Sequence, residues 1–181
     1  MSGNITDKDI NDLLRVSYEK GFRLIVERYS QKLYWHIRRL VIIHDDADDA
    51  LQNTFLNAWR NISSFRSESS VYTWLYAIAT NEALAIINKR KKNEAESFDD
   101  LASVFANSRE GDSFFDGDEA ERKLQEAILH LPEKQRVVFN LRYYDEMPYE
   151  EMSKVLDTSV GALKASYHHA AKKIEDFLLN T

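Results

Sequence analysis

Between residues 63 and 92 the sequence places hydroxyl side chains, then aromatics, then cations. Ser63, Ser64, Ser67, Ser69 and Ser70 flank Phe65 and Arg66. Tyr72, Trp74 and Tyr76 follow, and Lys89, Arg90, Lys91 and Lys92 close the stretch. These types suit single-stranded nucleic acid: unstacked bases lie on ring faces, cations neutralise phosphate, and hydroxyls bond base edges or phosphate oxygens. The same rings also suit a core, and Trp74 reads as core rather than contact. Tyr72 and Tyr76 stand one turn apart, so part of their face is expected to be exposed.

A second group lies near the C-terminus. Y-E-E-M-S-K-V-L, then D-T-S, then V-G-A-L-K-A-S-Y-H-H-A-A-K-K-I-E-D-F-L-L has the spacing of a helix-turn-helix, whose second helix enters a major groove. That helix would offer Lys164, Ser166, Tyr167, His168 and His169 to base edges, and its first amides to a phosphate. Other helical hairpins share the spacing, so spacing alone leaves both readings open. His168 and His169 read as surface residues. The nearest other histidine is His130 and no carboxylate follows at ligand spacing, so no metal is expected.

Catalytic patterns are missing. There is no Gly-rich phosphate loop, no His-Glu zinc pattern and no nucleophile elbow. H-D-D-A-D-D lacks the spacing, the turn glycine and the terminal glutamate of an EF-hand. It reads as a first helical turn and a solvated face that another protein can grip. Neither enzymatic activity nor a cofactor is expected.

Helices must position these groups, because five Gly and two Pro in 181 residues leave little for tight turns. Apolar residues recur at i, i+3/i+4 from Phe22 to Val41. The acids of D-D-A-D-D open a helix that continues to Trp59, and another runs from about Ser70 to Lys92. With a helix near 6–19, these predict a bundle of about four helices. Downstream, helices are predicted over Arg122–His130, from Pro132 to about Tyr144, over 149–156, and from Val160 onward. Pro148 is well placed at a helix start.

Composition sets further limits. No apolar run approaches the ~18–20 residues of a membrane span, and the N-terminus lacks a signal-peptide order, so the chain reads as cytoplasmic. There is no cysteine. The net charge of −6 is concentrated in one place. Residues 94–121 carry ten acidic side chains and one basic, against 11 and 14 in residues 1–93 and nine of each in residues 122–181. The acidic stretch reads as a solvated linker. A second reading has its Phe98, Leu101, Phe105, Phe114 and Phe115 dock transiently on a partner. Three segments are expected: a helical domain over 1–93, the linker over 94–121 and a helix-turn-helix domain over 122–181.

Three segments together resemble the sigma-70 family of RNA polymerase sigma factors, in its extracytoplasmic-function branch. D-A-D-D-A-L-Q-N-T-F-L-N-A-W at 46–59 is similar to the family's polymerase-binding segment. F-R-S-E-S-S-V-Y-T-W-L-Y-A-I-A-T-N-E-A-L at 65–84 is similar to its reader of the −10 element. L-P-E-K-Q-R-V-V-F-N-L-R-Y-Y-D-E-M-P-Y-E-E-M-S-K-V-L at 131–156 is similar to the approach to its −35-reading helix. The resemblance covers about residues 20–92 and 122–178.

The resemblance implies an all-α fold with a region 2 type bundle and a region 4 type helix-turn-helix. Its implied partners are core RNA polymerase, promoter DNA and an anti-sigma protein, with the free chain a monomer. Asp46, Asp48, Asp49, Gln52, Asn53 and Asn57 fall in the polymerase-binding segment, as does Phe55, which reads as core. The −10 contacts it implies are Ser64, Phe65, Arg66, Ser67, Ser69, Ser70, Val71, Tyr72, Trp74, Asn81, Lys89 and Arg90, with Asn81 at the pocket that captures a flipped base. The −35 contacts are Ser159, Gly161, Lys164, Ser166, Tyr167, His168 and His169. It also implies that the linker threads through the polymerase, its charge mimicking nucleic acid there.

The chain departs from the family pattern in places. Asn53 replaces a Glu, Ser67 a Gly and Ala77 an Arg, and Ser166, His169 and Ala171 stand where Arg is usual. Weakened or altered −35 reading is therefore expected. Two other readings are a stand-alone helix-turn-helix regulator, which would leave 65–84 without a role, and a protein-interaction module that has lost DNA binding.

Overall fold

The computed structural model describes residues 6–65, 70–93 and 119–180. Every regular element among them is helical. In chain order they are α1 (Asp7–Val16), α2 (Tyr18–Val41), α3 (His44–Asn61), a 3-10 turn (Ile62–Ser64), α4 (Val71–Asn93), α5 (Glu119–Leu129), α6 (Glu133–Tyr143), α7 (Tyr149–Leu156) and α8 (Val160–Leu179). The chain divides into two compact units between Ile86 and Ile87, so the end of α4 counts with the second unit rather than closing the first. Residues 94–118 of the acidic stretch lie outside the described residues. From Glu119 onward that stretch is already helix, earlier than the expected start at Arg122, because Glu119 and Glu121 suit the positive end of the α5 dipole.

Local signals shape the first unit. At α1, Thr6 Oγ1 accepts from the Asp9 N–H at 3.2 Å, and Asp9 Oδ2 accepts from the Thr6 N–H at 2.7 Å, a reciprocal cap. Ser17 Oγ accepts from the Lys20 N–H at 3.4 Å to open α2. At Gly21 a Cβ would stand 2.5 Å from Leu14 Cδ2 and 2.9 Å from the Leu14 backbone N, so α1 and α2 meet at a separation that only glycine permits. Helix α2 ends abruptly at Ile42, a buried β-branched residue held at φ 68°. Such a backbone persists only because the surrounding core fixes the side chain.

The core of this unit combines Ile25, Tyr29, Leu33, Ile37 and Leu40 of α2, Ala47, Ala50 and Ala58 of α3, and Val71, Leu75, Ala79 and Ala83 of α4. Burying each of the larger aliphatic side chains stabilises the fold by about 1.5–3 kcal/mol. One polar pair lies among them: His36 Nε2 is 2.9 Å from Thr80 Oγ1, which satisfies two buried groups and joins α2 to α4.

In the second unit, Ala127, Ile128, Leu131, Phe139, Ala170 and Ile174 form the core. Helices α7 and α8 are joined through Asp157, whose left-handed backbone (φ 47°, ψ 48°) supplies the sharp turn. Asp is among the few residues that visit this region readily. Ser159 Oγ then accepts from the Ala162 N–H at 3.3 Å and caps α8.

Candidate nucleic-acid and protein interfaces

Helix α4 shows a narrow face to solvent. At 100° per residue, its buried positions Val71, Thr73, Leu75, Tyr76, Ala79, Thr80 and Ala83 cover more than half of the helix circumference. The opposite arc carries half-buried Trp74, exposed Asn81 and, between them, Ala77. The Phe65 ring lies 4.8 Å from the Trp74 ring, tilted by 34°. The structure therefore brings Phe65 to Trp74 and leaves Asn81 open two turns further along the same face.

Other residues expected in this reader have local work instead. Ser70 Oγ accepts from the Thr73 N–H at 3.1 Å and bonds Thr73 Oγ1 at 2.7 Å, starting α4. Ser64 Oγ donates to the Asn61 carbonyl at 2.7 Å. Val71 is fully buried, so its side chain packs and cannot meet DNA. Tyr76 is buried too, and half-buried Tyr72 lies 4.4 Å from it and 6.4 Å from Tyr29. The expected open tyrosine face is thus a packed aromatic column, because the buried arc of α4 is wider than one stripe. Lys89 is exposed and Arg90 half-buried, both past the division between the units. Arg66, Ser67 and Ser69 lie outside the described residues.

Helix α3 carries a continuous exposed strip at i, i+3/i+4 spacing: Asp45, Asp48, Asp49, Gln52, Asn53, Leu56 and Trp59. It changes from acidic to amide to apolar along the helix. Leu56 is 47% and Trp59 42% exposed, unusual for such large side chains. Both were missed in the sequence reading, although the spacing that joins Asp48 to Gln52 extends directly to them. Asp46 is half-buried at the strip's margin. Asn57 is a correction: its Nδ2 donates to Glu82 Oε1 at 2.6 Å, so it ties α3 to α4 rather than facing outward. Phe55 packs edge-on against Phe22 at 6.2 Å, as a core residue should.

On α8 the exposed arc holds Gly161, Ala162, Lys164, Ala165, His168, His169, Lys172 and Lys173. Ser166 is half-buried, and Ser159 is occupied as the cap. Tyr167 is a further correction. Its ring stacks on Phe139 at 5.5 Å and 10°, so it is half-buried and packs against the core instead of standing free on the exposed arc. Burial there pushes its phenol above the ordinary range. An unforeseen arrangement surrounds Tyr149: Arg142 Cζ lies 5.1 Å and Lys164 Nζ 5.7 Å from its ring centroid. The ring attracts both cations electrostatically and gathers positive charge beside the start of α8. A Cβ on Gly161 would meet nothing within 4 Å, so the first turn of α8 is open.

A helical bundle with an aromatic-amide face on α4, followed in sequence by a helix-turn-helix, places the chain among two-part helical proteins whose second part has a DNA-binding architecture. Comparison with known proteins agrees. Residues 25–103 match the model of sigma-70 region 2, and residues 121–174 match that of sigma-70 region 4. The chain is 32% identical over 188 residues to an ECF RNA polymerase sigma-E factor of Haemophilus influenzae, covering 97% of each protein. It is 30% identical over 185 residues to that of Escherichia coli strain K12, covering 97% of this chain and 96% of the relative. Two solved structures share the fold at a TM-score of 0.69. One is the sigma factor RpoE in complex with the anti-sigma factor NepR from Bartonella quintana, at 21% identity over 88% of this chain and 97% of the other. The second is CnrH in complex with the cytosolic domain of CnrY, at 22% identity over 95% and 96%. The chain belongs to the extracytoplasmic-function branch of the sigma-70 family of RNA polymerase sigma factors. It acts in transcription initiation, and sigma factors of this family do so without enzymatic activity of their own.

Proposed function

We propose that this chain docks on core RNA polymerase through the exposed strip of α3 and captures an unstacked base of the −10 element between Phe65, Trp74 and Asn81. In this reading Asp48, Asp49, Gln52 and Asn53 supply the polar part of the docking strip, and Leu56 and Trp59 its apolar anchor. The region 4 unit sets α8 in the −35 major groove, with Lys164, His168 and His169 as readers. Melting draws its free energy from polymerase binding and strand capture, not from hydrolysis. The acidic stretch over 94–121 links a −10 domain ending near residue 93 to a −35 domain beginning near residue 122. The free chain is a cytoplasmic monomer that binds promoter duplex poorly, and an anti-sigma protein holds it inactive. Both solved structures of the same fold are such complexes, which supports that last step.

The observation that carries the reading is the exposure of Asn81 on the one face of α4 that also bears Trp74. Runoff transcription with purified core polymerase and a promoter panel tests it. Initiation that requires this chain and collapses in Asn81→Ala is expected. Tight duplex binding by the chain alone, with no initiation from any promoter, would instead mark a stand-alone regulator.

A further inference from the structure

Two histidines stand side by side on the outer arc of α8. His168 and His169 are both exposed, their ring centroids 6.0 Å apart and tilted by 56°. Each lies in a row with cations at i, i+4 spacing. Lys164 and Lys172 flank His168 by one turn on either side, and Lys173 follows His169 by one turn. All three lysines are exposed. The arc thus carries three fixed positive charges and two side chains whose charge is set by pH.

The surroundings supply no anion to either ring. Among the described residues no carboxylate forms an ion pair with His168 or His169. Helix α8 packs against α5, α6 and α7. From α6 and α7 come Arg142 and the Tyr149 phenol, which meet beside Lys164. From α5 comes His130, whose ring lies 4.8 Å from that of Phe177, further along α8. Glu151 of α7 holds Lys154 at 3.3 Å, and the acids of α8 itself, Glu175 and Asp176, stand two turns beyond the pair. A phosphate in the groove is therefore the first anion to come within hydrogen-bond distance of either imidazole.

A neutral imidazole has one N–H donor and one acceptor, whereas an imidazolium has two donors and a charge. Guanine O6 and N7 and the phosphate oxygens all require donors. An anion at this range favours the charged form of the ring, so binding and protonation are coupled. At position 169 the family's Arg is always charged, and this chain carries that charge only when the ring is protonated.

We propose that His168 and His169 hold the −35 duplex as imidazolium ions, so that promoter binding takes up protons and strengthens as pH falls. The inference rests on the placement of α8 in the −35 groove proposed above.

The experiment uses the complete holoenzyme and a fluorescent promoter duplex that the holoenzyme itself selects from a random library, with a second duplex whose −35 element is scrambled. Binding is measured over a salt series at about pH 6 and about pH 8, the range over which a histidine changes charge. Relative to the scrambled duplex, wild type is expected to bind the intact one at least about fivefold more tightly at the lower pH. Its slope of log K against log salt should also steepen by about 0.9 for each imidazolium engaged. The double variant His168→Gln, His169→Gln should bind weakly at both pH values and lose both effects. His169→Arg should bind tightly at the higher pH and keep only the pH dependence owed to His168. A wild type that gains nothing at the lower pH, or a double variant that keeps the full pH dependence, overturns the inference and leaves the placement of α8 intact. A wild type that binds intact and scrambled duplexes alike at both pH values overturns that placement, and the inference with it.

Discussion

Asn57 and Glu82 meet across the first unit, the amide Nδ2 donating to the carboxylate Oε1 at 2.6 Å. This bond joins the helix assigned to polymerase docking to the helix assigned to base capture, one residue from Asn81. Asn57→Ala removes the donor and leaves a part-buried carboxylate unsatisfied. A hydrogen bond to a charged group contributes about 1.5–3 kcal/mol, so the variant should unfold at correspondingly lower denaturant, read by chemical denaturation. Transcription should fall through the loss of this tie between α3 and α4.

Two glycines should respond oppositely to alanine. At Gly21 the new methyl group meets Leu14, side chain and backbone, at 2.5–2.9 Å, and overpacking of this kind costs about 1–3 kcal/mol. At Gly161 it meets nothing, and the helix gains up to about 1 kcal/mol of propensity. Thermal melts should therefore move down for Gly21→Ala and up for Gly161→Ala.

The Tyr149 ring gathers Arg142 and Lys164. Tyr149→Leu keeps bulk and removes the ring, whereas Tyr149→Phe keeps the ring and removes the hydroxyl. A cation–π contact at an exposed site is worth about 0.5–1 kcal/mol. Transcription that depends on the −35 element should drop about two- to fivefold in the leucine variant and stay near wild type in the phenylalanine one. Lys164→Ala should lose at least as much as Tyr149→Leu, because it removes the reader as well as its contact with the ring, and the double variant should lose little more than Lys164→Ala alone.

His169 is exposed at a position where the family carries Arg. His169→Arg should strengthen −35 duplex binding by holoenzyme and steepen its salt dependence. Each added phosphate contact changes the slope of log K against log salt by about −0.9. Filter binding over a salt series measures both effects.

Acid should loosen α1 first. The Asp9 carboxyl lies below its ordinary value of 3.8 because the Thr6 hydroxyl and then the Thr6 N–H donate to it. Over the interval between the two values the unfolded chain binds more protons than the folded one. The capping contribution is therefore complete above about pH 4, and it is lost as pH falls through the lower, folded value. NMR chemical shifts of α1 should follow this loss, and Asp9→Asn should abolish the pH dependence while weakening α1 at neutral pH.

The helices were legible because a spacing such as Leu33, Ile37 and Leu40 admits one period. The place of Pro148 at a helix start and the acids that open α3 were equally plain. What spacing withheld was the width of each buried arc. Tyr72 and Tyr76 differ by one turn on a helix whose neighbours cover more than half its circumference, and no single-helix pattern reveals that. Ser70 and Ser159 show a second limit. A serine before a helix has one chemistry for a cap and for a ligand, and only the coordinates show which bond it makes. Tyr167 and Asn57 show a third: a partner on a distant element, Phe139 or Glu82, turned each inward. Asn81, Lys164, Asp48, Asp49 and Gln52 are exposed.

The exposed arc of α8 carries no packing role: Gly161, Ala162, Ala165, His168 and His169 lie outside the core that Leu163, Ala170 and Ile174 complete from the other side. If α8 reads the −35 element as proposed, promoter choice and folding are written on separate sides of one helix. Substitutions can accumulate on the outer side without selection for stability removing them. Such a helix can acquire a new promoter vocabulary in few mutational steps, which favours divergence among duplicated copies and makes this chain a starting scaffold for orthogonal transcription.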